Sequence, residues 1–96
     1  MVVLWSQSAK NALRQAFEYI ATDSPQAAQA VINEIVDATL ILVQHPERHH
    51  LDKFKKNNDG SWRAFELHRY RISYKVTEKN IRIVRMRHTS RNPLDY

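Results

Sequence analysis

The stretch WRAFELHRYRISYKVTEKNIRIVRMRH, residues 62–88, decides the fold. Tyr70, Ile72, Tyr74 and Val76 fall on one side of a period-two pattern, with Arg71, Ser73 and Lys75 on the other. That is the mark of a strand with one apolar face. Trp62 to His68 alternates more loosely, and Ile81 to His88 forms a third run in which Arg85 and Arg87 oppose Val84, Met86 and His88. Lys79-Asn80 reads as the turn between the last two runs, and Asn57-Asn58-Asp59-Gly60 as the loop before the first. A further strand at Leu51 to Lys56 is expected from its position, with weaker patterning.

Upstream the period changes to that of a helix. Ala9, Ala12, Leu13, Ala16, Phe17 and Ile20 recur at helical spacing, with Lys10, Arg14 and Glu18 off that face. Ser6 or Ser8 caps this helix. Thr22-Asp23-Ser24-Pro25 ends it, and Ser24 caps a second helix with Pro25 in its first turn, where a missing N–H costs nothing. The stripe of the second helix is Ala28, Val31, Ile32, Ile35, Thr39 and Leu42, running to His45-Pro46. Met1 to Trp5 reads as a short strand. The expected architecture is α+β in one domain spanning 1–96. An N-terminal strand leads into an antiparallel helical hairpin, then three to four antiparallel strands, with the helices on one face of the sheet.

Composition narrows the chemistry. The chain has no cysteine, which excludes disulfides and thiolate sites, and a single glycine, Gly60, which excludes a glycine-rich phosphate loop. His45, His49 and His50 cluster without a carboxylate at ligand spacing, so no metal or other cofactor is expected. The apolar run at the N-terminus is too short for a signal segment or a membrane span, which points to a soluble cytoplasmic protein.

The net charge of +5 is unevenly shared. Residues 1–47 carry two bases against five acids, and residues 48–96 carry thirteen bases against five acids, so the strand-rich half holds a net +8. A field of that sign favours an anionic partner, whether nucleic acid or an acidic protein segment. Aromatic residues Trp62, Phe65, Tyr70, Tyr74 and Tyr96 interleave with the bases; the periodicity assigns Tyr70 and Tyr74 to the core, and leaves Tyr96 either to dock on the sheet or to act as an acid–base group. His88, flanked by Arg85, Arg87 and Arg91, stands where a proton-transfer group or a phosphate donor would have cations beside it.

Taken in order, these pieces resemble the RelE/ParE superfamily of bacterial type II toxins. The pieces are the hairpin with Ser24-Pro25, the helix running to His45-Pro46, the strand pair from Trp62-Arg63 to Tyr70-Arg71-Ile72-Ser73-Tyr74, and the ending Ile81 to His88 then Arg91. The resemblance implies a growth-inhibiting toxin neutralised by a cognate antitoxin, in a hetero-oligomer whose antitoxin contributes an acidic amphipathic segment. The RelE-like branch cleaves messenger RNA in the ribosome without a metal. Its basic set corresponds here to Arg63, Arg71, Arg91 and Tyr96, with Phe65 standing where that branch has a second cation. The ParE-like branch poisons DNA gyrase, and its His-x-x-Arg ending and Arg-x-Phe strand are matched by His88-Thr89-Ser90-Arg91 and Arg63-Ala64-Phe65. The resemblance is closer to the ParE-like branch; an inactive binding module is the third reading. Lys53, Lys55, Lys56, Arg85, Arg87 and His88 are the candidate residues for holding antitoxin or target.

Overall fold

A computed structural model describes residues 1–92 and 94–96. The elements run β1 (Val2–Trp5), α1 (Gln7–Ala21), α2 (Pro25–Ile41), β2 (Trp62–Leu67), β3 (Tyr70–Val76) and β4 (Asn80–His88). Ser6, not Ser8, caps α1 by accepting from the Ala9 amide at 3.0 Å, and Ser24 caps α2 by accepting from Ala27 at 3.1 Å, with Pro25 in the first turn. The second helix stops at Ile41, short of His45-Pro46. The chain bridges the gap with turns in which the Gln44 and His45 amides both donate to the Ile41 carbonyl.

The sheet order is β1-β4-β3-β2. Strands β2, β3 and β4 form an antiparallel meander, and β1 joins its far edge parallel to β4, with Val3 opposite Ile81 and Trp5 opposite Ile83. The sheet is therefore mixed, because the two helices between β1 and the meander supply the crossover a parallel pair needs. The expected strand at Leu51 to Lys56 does not form. Only Leu51 pairs, as an isolated bridge to Arg63, after which Asp52 turns the chain over the sheet.

The helices cover one face. Ala9 and Ala16 of α1 and Ile35 of α2 are buried against Phe65, Ile72, Tyr74, Ile81, Ile83 and Met86. The small residues of α1 let its backbone approach β4 closely. The hydroxyl of Tyr74, fully buried, donates to the Pro46 carbonyl at 3.0 Å, so the loop after α2 is tied to the central strand. His49 stacks on Phe65 with ring centroids 4.6 Å apart, and burial followed by the neighbouring Arg48 pushes its pKa down.

Two local features set the sheet's turn and register. Leu67 pairs with Tyr70, so His68 and Arg69 alone make the β2–β3 turn, both at positive φ (52° and 68°). A primed two-residue turn demands this backbone, normally from glycine or asparagine. His68 reaches back to pair with Glu34 of α2, which anchors the turn. In β4 the register shifts: Ser73 faces Arg85 but Tyr74 faces Ile83, leaving Val84 as an extra residue. This β-bulge places Ile81 and Ile83 on the helix-facing side and, one residue out of step with the alternation, Met86 as well. The Val84 carbonyl accepts from the Ser6 hydroxyl at 2.9 Å, joining the bulge to the β1–α1 corner.

Candidate functional site

The outer face of the sheet is not bare. Asp52, with its side chain fully buried, sits over β3 at the centre of a polar network. One carboxylate oxygen accepts from Arg71 at 3.0 Å and from the Phe54 amide at 3.1 Å, and the other accepts from the Tyr96 hydroxyl at 2.5 Å. Arg71 also donates to Glu66 at 3.2 Å and lies over the Phe54 ring at 4.8 Å. The chain segment ending in Tyr96 is laid beside residues 54–56: its amide donates to the Phe54 carbonyl and its carbonyl accepts from Lys56. The Arg85 guanidinium stacks 3.8 Å from the centre of the Tyr96 ring and donates to the Leu94 carbonyl. Burial pushes the Arg85 pKa down, with Tyr96 opposing that shift.

This network sets a pH dependence. Burial alone would raise the Asp52 pKa, but the hydrogen bonds from Tyr96, Arg71 and the Phe54 amide outweigh it and hold the group below its ordinary 3.8. The unfolded chain takes up that proton first, so the contribution of Asp52 to stability is full above about pH 3.8 and is lost as pH falls through the lower folded value. Tyr96 is pushed up to about 12 by burial and by its bond to Asp52; its contribution is full below 10.0 and is lost as pH rises from there through about 12. Thermal melts followed by circular dichroism at stepped acid pH are expected to show the wild type holding its melting temperature further into acid than Tyr96→Phe. An identical acid limb in both proteins would show that the phenol does not hold the carboxylate ionised.

The sequence-derived candidates separate into three places. Arg63 faces the helices, opposite Tyr74 in register, and donates to the His49 carbonyl at 2.7 Å. Phe65 is likewise in the core, opposite Ile72. Arg71 and Tyr96 are on the other face, both bonded to Asp52. Arg63 is therefore separated from them by the thickness of the sheet. Lys55 and Lys56 serve the tail: Lys55 lies over the Trp62 ring at 4.7 Å and over Tyr96 at 5.6 Å, and Lys56 bonds the Tyr96 carbonyl.

The third place is where the remaining candidates meet. Lys53, Arg71, Arg85, Arg87, His88 and Arg91 line one small cavity of about 150 Å3 on the outer face, with Glu66 as the carboxylate at its edge. Beyond His88 and Arg91 a larger groove of about 420 Å3 runs between α1 and the sheet, floored by Ala12, Ala16, Tyr70 and Met86 with Tyr19 at its rim. His88 stands at the divide, edge-on to Tyr70 with centroids 5.1 Å apart, its Nδ1 accepting from the Ser90 amide at 3.0 Å. Sequence reading missed Asp52 and Glu66. The available signal was that they are isolated acids in a strongly basic half-chain, which marks them as countercharges.

Comparison with known proteins agrees with this architecture. The family described as "ParE toxin of type II toxin-antitoxin system, parDE" matches residues 3–93. The chain belongs to the ParE toxin family. It is thus a toxin of the type II class, on the ParE-like branch of the RelE/ParE superfamily. Among solved structures, a chain described as "Chromosomal ParDE TA system from P. aeruginosa" shares the fold of this ParE-family toxin with a TM-score of 0.71. The match is at 20% identity over 92% of this chain and 95% of that one. No curated protein matches the sequence significantly.

Proposed function

We propose that this toxin poisons DNA gyrase in the cytoplasm and is held inactive by an antitoxin through an acidic amphipathic segment. Membership of the ParE family across residues 3–93 is the observation that carries the reading. The geometry supports it: Arg63 is on the helix-facing side of the sheet, and Tyr96 is committed as a donor to Asp52, so the four-residue set required for metal-independent RNA cleavage is divided between two faces. Among the described residues no helix is long and apolar enough to cross a membrane.

The groove beside α1 suits the antitoxin. Its floor is apolar and one end is rimmed by Arg87 and Arg91, a pairing that an acidic amphipathic segment complements, apolar side to floor and carboxylates to arginines. Such a segment would also cover Tyr19, which is 73% exposed.

Purified toxin added to gyrase and supercoiled plasmid is expected to trap cleaved complexes, released as linear DNA after detergent and protease, and added antitoxin is expected to abolish the product. Absence of linear DNA at toxin excess would end the gyrase reading. Programmed ribosomes are expected to keep their messenger RNA intact under the same excess; cleavage there would transfer the assignment to the RelE-like activity. Unimpaired growth on induction without antitoxin would mark an inert binding module.

A further inference from the structure

The loop that joins α2 to β2 crosses the edge of the sheet, and its two ends serve opposite faces. On the helix side, Tyr74 donates to the Pro46 carbonyl and Arg63 donates to the His49 carbonyl at 2.7 Å. Along the edge, the His50 carbonyl accepts from the Ala64 amide at 3.2 Å, Leu51 bridges Arg63, and the Asp52 amide donates to the Trp62 carbonyl at 2.9 Å. Past the edge, Asp52 holds the outer-face network. One ring seats this stretch. Glu47, Arg48 and His50 are exposed, whereas the half-buried His49 stacks on Phe65 and meets Tyr74 edge-on with centroids 6.3 Å apart. The seat suits a neutral imidazole. Arg48 and His50 flank it, Arg63 reaches across from β2 to its carbonyl, and the titratable group that meets it from β3 is the Tyr74 phenol, itself pushed up by burial. Glu47 is the nearest acid along the chain, and among the described residues no carboxylate lies within ion-pair distance of His49. The face of Phe65 attracts a cation, but burial, then Arg48, then His50 weigh against the charged ring and push its pKa below the ordinary 6.5.

We propose that His49 is an acid-sensitive catch: taking up a proton expels its ring from the seat on Phe65 and Tyr74, releases residues 49–52 from the edge of β2, and so loosens Asp52 on the outer face. The sign follows from linkage. Because the folded pKa is lowered, the catch holds fully above 6.5, and its contribution is lost as pH falls through the lower folded value. Asp52 stays ionised in that window, since its own pKa is held below 3.8. The two responses are therefore separate, His49 acting in mild acid and Asp52 in strong acid. The groove beside α1 takes none of its lining from this loop. Mild acid thus alters the outer face and leaves the groove in place, whichever cellular target the toxin has.

The test follows 15N-labelled full-length toxin by NMR from about pH 7.5 to about pH 5, the range in which histidine titrates. The His49 ring is expected to titrate at lower pH than the exposed His50. Across that titration, exchange of the Asp52 and Ala64 amides, taken relative to the unstructured rate at each pH, is expected to quicken by about tenfold for each pH unit separating the two midpoints. Amides of β4 are expected to keep their protection. His49→Phe keeps a ring on Phe65 but cannot take up a proton, so both loop amides are expected to stay slow at the acid end. His49→Gln, uncharged and without the stack, is expected to exchange fast there at every pH. A common midpoint for His49 and His50, a His49 titration that leaves the two amides unchanged, equal quickening through β4, or the same acid step in His49→Phe overturns the proposal.

Discussion

Replacing Asp52 by alanine is expected to cost about 3–5 kcal/mol of folding stability, the range for removing one partner of a buried ion pair. Domains of this size are stable by roughly 5–15 kcal/mol, so the change removes a large share of the total. The reason is what the substitution leaves behind. Arg71 would keep only Glu66, which is largely exposed, and the Tyr96 hydroxyl and Phe54 amide would lose their acceptor under cover of the tail. At roughly 4–8 °C per kcal/mol for a domain near this length, the melting temperature should fall by at least about 12 °C. Tyr96→Phe removes a single hydrogen bond and should cost about 1 kcal/mol, with the ring still packed beneath Arg85 and against Trp62. Urea unfolding of both variants separates the outcomes: equal, small losses would mean that the carboxylate is not the centre of the network.

Deleting Val84 is expected to have the largest effect, abolishing cooperative folding. Val84 is the extra residue that lets Ile81 and Ile83 before it, and Met86 after it, face the same core. Without it, a one-residue slip must turn one of these segments over. If the second half of β4 turns, Arg85 and Arg87 are driven toward the helices, where burying an unpaired charge costs several kcal/mol. If the first half turns, Ile81 and Ile83, both fully buried now, go outward and β1 loses its partners. Val84→Ala keeps the bulge and should cost about 1 kcal/mol or less, since the side chain is only half-buried. The amide spectrum decides: a dispersed, native-like spectrum for the deletion would show that the bulge does not set the register.

These two positions also show where sequence reading stops. The helices were legible because their signals are local: Ser24-Pro25 writes the start of α2, and the alanine stripe of α1 writes its buried face. The β3 alternation was legible for the same reason. The Val84 bulge was not, since a strand's period reads as continuous until its partner is known, and Val84 itself is an ordinary strand residue. The turn at His68-Arg69 was equally hidden, because its positive φ values occur without glycine or asparagine and are supported by His68 reaching Glu34 in a distant helix. Among the site candidates, the sequence placed Arg85 and Arg87 on one face of β4, as found. It did not show that Arg63 belongs to the opposite side from Arg71, which follows only from pairing Arg63 with Tyr74.

By itself the sequence determined the elements, their order, the ParE-like resemblance and the location of the excess charge in the strand-rich half. Those properties depend on residue type and spacing along the chain, where capping, periodicity and charge act over a few residues. Tertiary structure decided what the charge is for. It spends Arg71 and Arg85 on Asp52 and the Tyr96 tail, sends Arg63 to the core side, and gathers Lys53, Arg87 and Arg91 around one small cavity. Which bases are neutralised and which remain free depends on contacts between residues as far apart as Asp52 and Tyr96. Strand register and the path of the tail fix those distances, and neither is written at any single position in the chain.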